Sequence, residues 1–290
     1  MAGTASGGSR RSRLAPYLLV APGILWLLVF FVVPMAVMAS ISLQTGSLGT
    51  GYTLSWNFGI YPEAISQFAT QFLRSFEYGF IVTVLTLLIG YPMAYTIAFR
   101  GGRIKNILLL LVILPFFTSF IIRTLAWKLI LADQGFVLGT LKGWGILPGD
   151  FGLIATPIAV ISGLVYNFLP FMVLPLYVAL EKIDHRLVEA ANDLYASRFQ
   201  SFLRVTLPLS MPGVFAGSLL TFIPSVGDFV NATILGSRDT TMIGNVIQSR
   251  FLDFNDFPRA SALGFVLMAA ILAMVLVYAR LVGSDELTSG

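Results

Sequence analysis

The chain contains no cysteine, which excludes disulfides, thiolate nucleophiles and Cys-ligated metals. It has a single histidine, His185, so H-E-x-x-H metal sets are excluded and no serine has a plausible imidazole base in an apolar stretch. No G-x-x-x-x-G-K-[ST] phosphate loop occurs, so the chain cannot hydrolyse ATP alone. No catalytic or metal-ligating set is assigned. Charge is scarce too: 11% of the 290 residues are Asp, Glu, Lys or Arg, against roughly 25% in a soluble domain. The net charge of +4 does not point to nucleic acid, because the basic residues sit in short loops between apolar runs.

What is abundant is apolar sequence: 57% hydrophobic, with a mean hydropathy of +0.85. Such a chain must face lipid. Six apolar segments stand out, roughly 16–43, 72–99, 104–132, 153–180, 209–235 and 259–282. Each reaches the ~20 residues needed to cross a bilayer as a helix. The reading is an all-α membrane protein with about six transmembrane helices. Residues 1–14 are Gly, Ser and Arg rich and read as a disordered cytoplasmic tail, with the transmembrane body over 15–290. The first apolar run is too long for the core of a cleaved signal peptide and reads as a retained span.

Basic residues orient the bundle. Arg10, Arg11 and Arg13, then Arg100, Arg103 and Lys105, then Lys182, Arg186, Arg198 and Arg204 fall on one side. The positive-inside rule puts that side, with both termini, in the cytoplasm of a cell-membrane protein. Two arginines break the pattern: Arg238 and Arg250 lie in the stretch 236–258, which this topology places outside. Ten prolines lie in or near the spans, Pro115, Pro170, Pro175, Pro212 and Pro224 among them. They fit ordinary membrane-helix composition and also broken helices lining a pathway.

Between the fourth and fifth apolar segments lies the polar stretch 181–208. Asp184 can cap a helix whose apolar face is Leu187, Ala190, Ala191 and Leu194. Ser197 and Gln200 form a possible capping box for a second short helix, which Pro208 should end. Two short helices meeting at a corner make a compact knob. The same pattern suits an amphipathic helix lying on the membrane surface, and spacing alone leaves the two readings open.

The residues resolve this by resemblance. Glu189-Ala190-Ala191, with Leu207-Pro208 about eighteen residues later, resembles the "EAA" coupling loop of ABC importer permeases. Leu114-Pro115-Phe116-Phe117-Thr118-Ser119, Gly163-Leu164-Val165-Tyr166, the run Leu169 to Tyr177, and Ile243-Gly244-Asn245-Val246-Ile247 are similar to the spermidine/putrescine permeases. The resemblance covers roughly 15–280 and implies an ABC type I importer-like permease fold. It implies a coupling loop carried by Asp184, Arg186, Glu189, Ala190, Ala191, Leu194, Tyr195, Leu207 and Pro208. It also implies the partners: a cytosolic ABC ATPase dimer holding the ATP and Mg, a second homologous permease, and an extracytoplasmic binding protein. No cofactor is expected on this chain itself. The same type of permease for another small solute, and a secondary transporter, are the alternatives.

One position departs from the pattern. Tyr195 stands where the motif has a glycine, and a tyrosine at positive φ would be strained. Either the corner takes another geometry, or the ring fills a pocket in the ATPase. For the pathway, a polycation calls for carboxylates and aromatic faces. Asp228 is the strongest intramembrane acid, with Tyr166, Asn167 and Trp127 as possible neighbours and Glu77 near the start of the second span. An ion pair of Asp228 with Arg123 or Lys128, or a place at the outer interface, is the competing reading. Arg123 suits a structural role, and His185 a solvated one.

Overall fold

The computed structural model describes residues 10–282, with side chains left undescribed at 10–18, 185, 192, 281 and 282. The helices are α1 (Arg10–Leu27), α2 (Val33–Ser42), α3 (Ile60–Arg100), α4 (Lys105–Ile113), α5 (Phe120–Leu131), α6 (Phe136–Gly143) and α7 (Pro157–Glu181). They continue as α8 (His185–Asp193), α9 (Arg198–Ser201), α10 (Leu207–Val226), α11 (Val230–Leu235), α12 (Ile243–Leu252) and α13 (Phe257–Val282). Among the described residues five helical spans are long and apolar enough to cross a membrane, with α1–α2 and α9–α10 each forming one, and a bent pair makes up to six. A small antiparallel hairpin, β1 (Gln44–Ser47) with β2 (Gly51–Leu54), departs from the all-α expectation. The first helix is described from Arg10 onward, and of the expected tail over 1–14, residues 1–9 lie outside the described residues.

Three helices, α3, α7 and α10, pack against one another most extensively. Glycine makes the approach possible. A Cβ on Gly213 would lie 2.5 Å from Ala179 Cβ and 2.8 Å from the Pro175 carbonyl oxygen. One on Gly217 would lie 2.8 Å from Met172 Sδ. These two glycines are four residues apart, the small-xxx-small spacing that lets membrane helices meet backbone to backbone. The core falls into three clusters along α3. Ala94, Met172, Leu176 and Val214 pack near the 181–208 end. Val82, Leu164, Phe168 and Leu235 pack in the middle. Phe68, Phe222, Val246 and Leu263 pack at the far end.

Several boundaries differ from the sequence expectation. The second span does not begin at 72. α3 starts at Ile60 and runs 41 residues, about 60 Å at 1.5 Å per residue, roughly twice the hydrocarbon thickness. Its first turns escape a hydropathy reading because they are amphipathic: Ile60, Ala64, Phe68 and Phe72 are buried while Glu63 faces solvent. Residues 104–132 are not one helix either. The chain bends by 97° between Phe117 and Phe120, with Thr118 and Ser119 extended. Pro115 withholds an N–H just before the break. Its carbonyl is taken by the backbone and the hydroxyl of Thr118. The fifth segment ends at Val226 rather than 235, because Gly227 and Asp228 interrupt it before α11. Pro92, Pro170, Pro175, Pro212 and Pro224 all sit inside continuous helices.

α1 and α2 stand apart. The Leu19–Ser42 run is as apolar as the last span, Phe257–Arg280, yet its apolar window buries nothing inside the molecule. Its main neighbour is α13, so most of its surface faces outward.

Candidate coupling corner and transport pathway

The 181–208 stretch folds as two helices at a corner. Asp184 Oδ1 accepts from the Arg186 N–H at 3.0 Å and caps α8. Glu189 and Ala190 are exposed on α8 and Ala191 is half-buried. The helix ends with Ala196 N–H donating to Ala191 O at 3.1 Å. That six-residue closure is the Schellman ending, in which the residue before the donor takes the left-handed conformation. Here that residue is Tyr195, with φ +61°. The corner therefore keeps the glycine geometry and places a tyrosine in it. A left-handed non-glycine residue costs roughly 1–2 kcal/mol. Among the described residues nothing covers the Tyr195 ring: the residue is 98% exposed, beside Leu194 at 81%.

The second helix starts as its sequence requires. Gln200 N–H donates to Ser197 Oγ at 3.3 Å, and Ser197 N–H donates to Gln200 Oε1 at 2.9 Å. It does not stop at Pro208. α9 passes through a wide turn at Phe202–Thr206 directly into α10, with Leu207 and Pro208 in the first turn. The wide turn relaxes the i−4 contact that a proline ring would otherwise strain. The corner is thus continuous with a spanning helix. Phe202 anchors it, edge-on to Tyr91 and Tyr95 with ring centroids 5.5 and 6.2 Å away. Tyr91 Oη and Ser210 Oγ hydrogen-bond at 2.7 Å. The neighbouring chain turn joins through an ion pair of Lys105 and Glu181. The side chain of His185 lies outside the described residues.

The pathway candidates gather elsewhere. Asp228, 8% exposed, sits in the break between α10 and α11. Its Oδ1 accepts from the Asn231 backbone N–H at 2.8 Å, and its Oδ2 from Asn231 Nδ2 at 3.2 Å. Asn231 Oδ1 in turn accepts from Asn167 Nδ2 on α7 at 3.1 Å. Asn167 also donates to Thr124 Oγ1 on α5 at 3.2 Å. Three separate elements are tied by this buried chain, and Asn167 Oδ1 still lacks a donor. Beside it, Trp127 and Tyr166 stack at 5.2 Å with an interplanar angle of 2°. Gly163 lies between the two groups: its Cβ would sit 2.9 Å from Asn231 Oδ1 and 3.4 Å from Trp127.

So Asp228, Asn167, Trp127 and Tyr166 come together, and Glu77 does not; it is exposed on α3. Among the described residues Asp228 forms no ion pair. Arg123 is buried with Nε and Nη1 unpartnered, its guanidinium 5.3 and 5.7 Å from the rings of Phe116 and Phe120. Lys128 is exposed. The competing ion-pair reading is not realised in this conformation. Thr124 and Asn231 were not anticipated. The available signal was Asn231 itself, an amide three residues after Asp228 within an apolar run.

Comparison with known proteins fits this architecture. Residues 86–283 match the family described as "binding-protein-dependent transport system inner membrane component". The spermidine/putrescine transport system permease protein PotB of Haemophilus influenzae is 39% identical over 256 residues, covering 88% of this chain and 90% of that protein. PotB of Escherichia coli is 36% identical, covering 88% and 93%. The fold is similar to a bacterial alginate ABC transporter crystallised with an alginate pentasaccharide-bound periplasmic protein. There the TM-score is 0.70 at 22% identity, over 96% of both chains. The relatives are transport subunits rather than enzymes, and this chain, a multi-pass membrane protein, belongs to the binding-protein-dependent ABC importer permeases.

Proposed function

We propose that this permease forms half of a translocation path for polyamines such as spermidine or putrescine. A second permease subunit supplies the other half. The α8–α9 corner docks into a cytosolic ATPase dimer that binds the ATP and Mg, and both termini lie on that side. An extracytoplasmic binding protein delivers the cargo at the far end. Alternating access follows from the different affinity of the ATPase for two arrangements of the corner.

The observation that carries the coupling reading is the corner itself. It is capped, rigid and continuous with α10, and it presents Leu194 and Tyr195 to solvent with nothing of its own to cover them. Exposed apolar side chains on an ordered knob suit a protein partner. The substrate reading rests on the similarity to the PotB proteins and on Asp228. That buried carboxylate is met only by neutral donors, and a carboxylate in such a place calls for a cation. A protonated amine of the cargo supplies one, and the stacked Trp127–Tyr166 pair offers a π face for another.

The test is reconstitution of the whole complex in vesicles with its ATPase and binding protein. ATP-dependent uptake of radiolabelled spermidine or putrescine is expected. ATP-dependent uptake of a different solute, with no polyamine uptake, would overturn the cargo. Orientation is checked on the naturally cysteine-free chain with Ser12→Cys and Ser284→Cys. Labelling of either by an impermeant maleimide added outside intact cells would overturn the topology.

A further inference from the structure

At the end remote from the α8–α9 corner lies a cavity of about 540 Å³. It collects the two arginines that break the positive-inside pattern. Arg238, from the α11–α12 connection, and Arg250, on α12, line it together with Arg74 of α3. Three guanidinium groups face one carboxylate, Asp239. None of the three is neutralised at hydrogen-bonding distance. Arg74 donates to the Thr241 carbonyl oxygen at 2.9 Å. Arg250 has Asp256 no closer than 3.9 Å and otherwise lies over Phe68 and Phe254, at 5.4 and 4.9 Å from their ring centroids. Arg238 is exposed and among the described residues has no ion pair.

A second wall group narrows the choice of occupant. Gln71 Oε1 is buried in the lining and receives no donor. An inorganic anion satisfies the arginines but has no N–H for Gln71. A peptide loop carrying a carboxylate satisfies both, through its side chain and its backbone. The rim supports the same partner: Phe254 is 66% exposed, and Phe251 and Leu252 are exposed next to it. Arginine framed by exposed aromatics is the composition of a protein–protein contact centre. A polycationic cargo is repelled by such a socket, so the cavity is not a second cargo site.

We infer that this cavity is a socket for an acidic loop of the binding protein, with Arg238 and Arg250 holding the carboxylate and Gln71 accepting a backbone N–H. The inference rests on the importer reading above. It adds that docking at this end is set by one charge-assisted contact, whose on-rate and affinity are salt-dependent.

The experiment uses the complete complex in vesicles and follows ATPase stimulation as substrate-loaded binding protein is added. Arg238→Glu, at an exposed position that tolerates folding, is expected to raise the half-maximal concentration at least tenfold. Basal ATPase activity stays at the wild-type level. Arg250→Gln should give a smaller rise in the same direction. Acid-to-arginine changes scanned over the binding protein should include one that restores the Arg238→Glu complex. An unchanged half-maximal concentration in Arg238→Glu overturns the socket. So does an effect seen only as a changed response to phosphatidylglycerol in the vesicles, which assigns the arginines to lipid headgroups. If the wild-type complex itself shows no stimulation, the importer reading fails instead.

Discussion

The coupling corner and the Asp228 network are both polar interruptions of an apolar chain, and they are built in opposite ways. In the corner, every capping bond joins residues two to five positions apart, and Glu189, Leu194 and Tyr195 are exposed. In the network, Asn167 reaches partners 43 and 64 residues away, and all of it is buried. Local closure frees the corner's side chains for a partner at little cost to the fold. Long-range closure makes each member of the network responsible for holding three elements in place. A substitution in the corner should therefore alter coupling and spare stability. One in the network should do the reverse, unless the residue also meets the cargo.

The largest effect should come from Asn231→Leu. It keeps the branched shape and the backbone N–H but strips Asp228 of its side-chain donor and Asn167 of an acceptor. Losing one charge-assisted bond of a buried carboxylate and the amide acceptor of Asn167 should cost about 2–3 kcal/mol, read as a clear fall in Tm of the detergent-solubilised complex. A Tm within a degree or so of wild type would erase the contrast between the two regions.

Asp228→Asn is milder and more telling. The amide oxygen can still accept from the Asn231 N–H, so about 1–2 kcal/mol should be lost. Uptake should fall at least tenfold if the negative charge meets the cargo. Normal uptake would make Asp228 a capping residue only.

Glu189→Lys is expected to leave Tm unchanged, since the residue is exposed, while transport-coupled ATP hydrolysis drops several-fold. Unaltered coupling in a normally assembled complex would remove α8 from the contact. The mildest variant should be Tyr195→Gly. Relief of the left-handed strain should stabilise the corner by about 1 kcal/mol. Coupling should nevertheless weaken if the ring occupies a pocket of the ATPase. A gain in both would mark Tyr195 as a tolerated departure without a role.

The same contrast explains what could be read from the sequence. Asp184, Ser197 and Gln200 were legible as caps because capping is a matter of a few neighbouring positions. The strain at Tyr195 was legible for the same reason, from a single backbone requirement. The continuity of α9 with α10 was not, because a wide turn neutralises the usual stop signal of Pro208. The network was legible only at its most conspicuous member. Hydropathy located the spans but missed the amphipathic start of α3 and the 97° bend after Pro115. One buries only a stripe of its surface; the other is a backbone event inside uniformly apolar sequence. Helices α6 and α12 fall between the apolar segments because both are short and mixed in polarity.

α3 carries Gln71 and Arg74 near one end and Tyr91 and Tyr95 near the other. One uninterrupted rod past the Phe68 kink thus touches both the arginine-lined cavity and the ring that anchors the coupling corner. Free energies of binding at two places on such a rod obey reciprocity. Whatever degree of tilt the ATPase imposes to favour one arrangement at the cavity, occupancy of the cavity must impose in return on nucleotide affinity. Measured at equilibrium, the two shifts have to be the same factor.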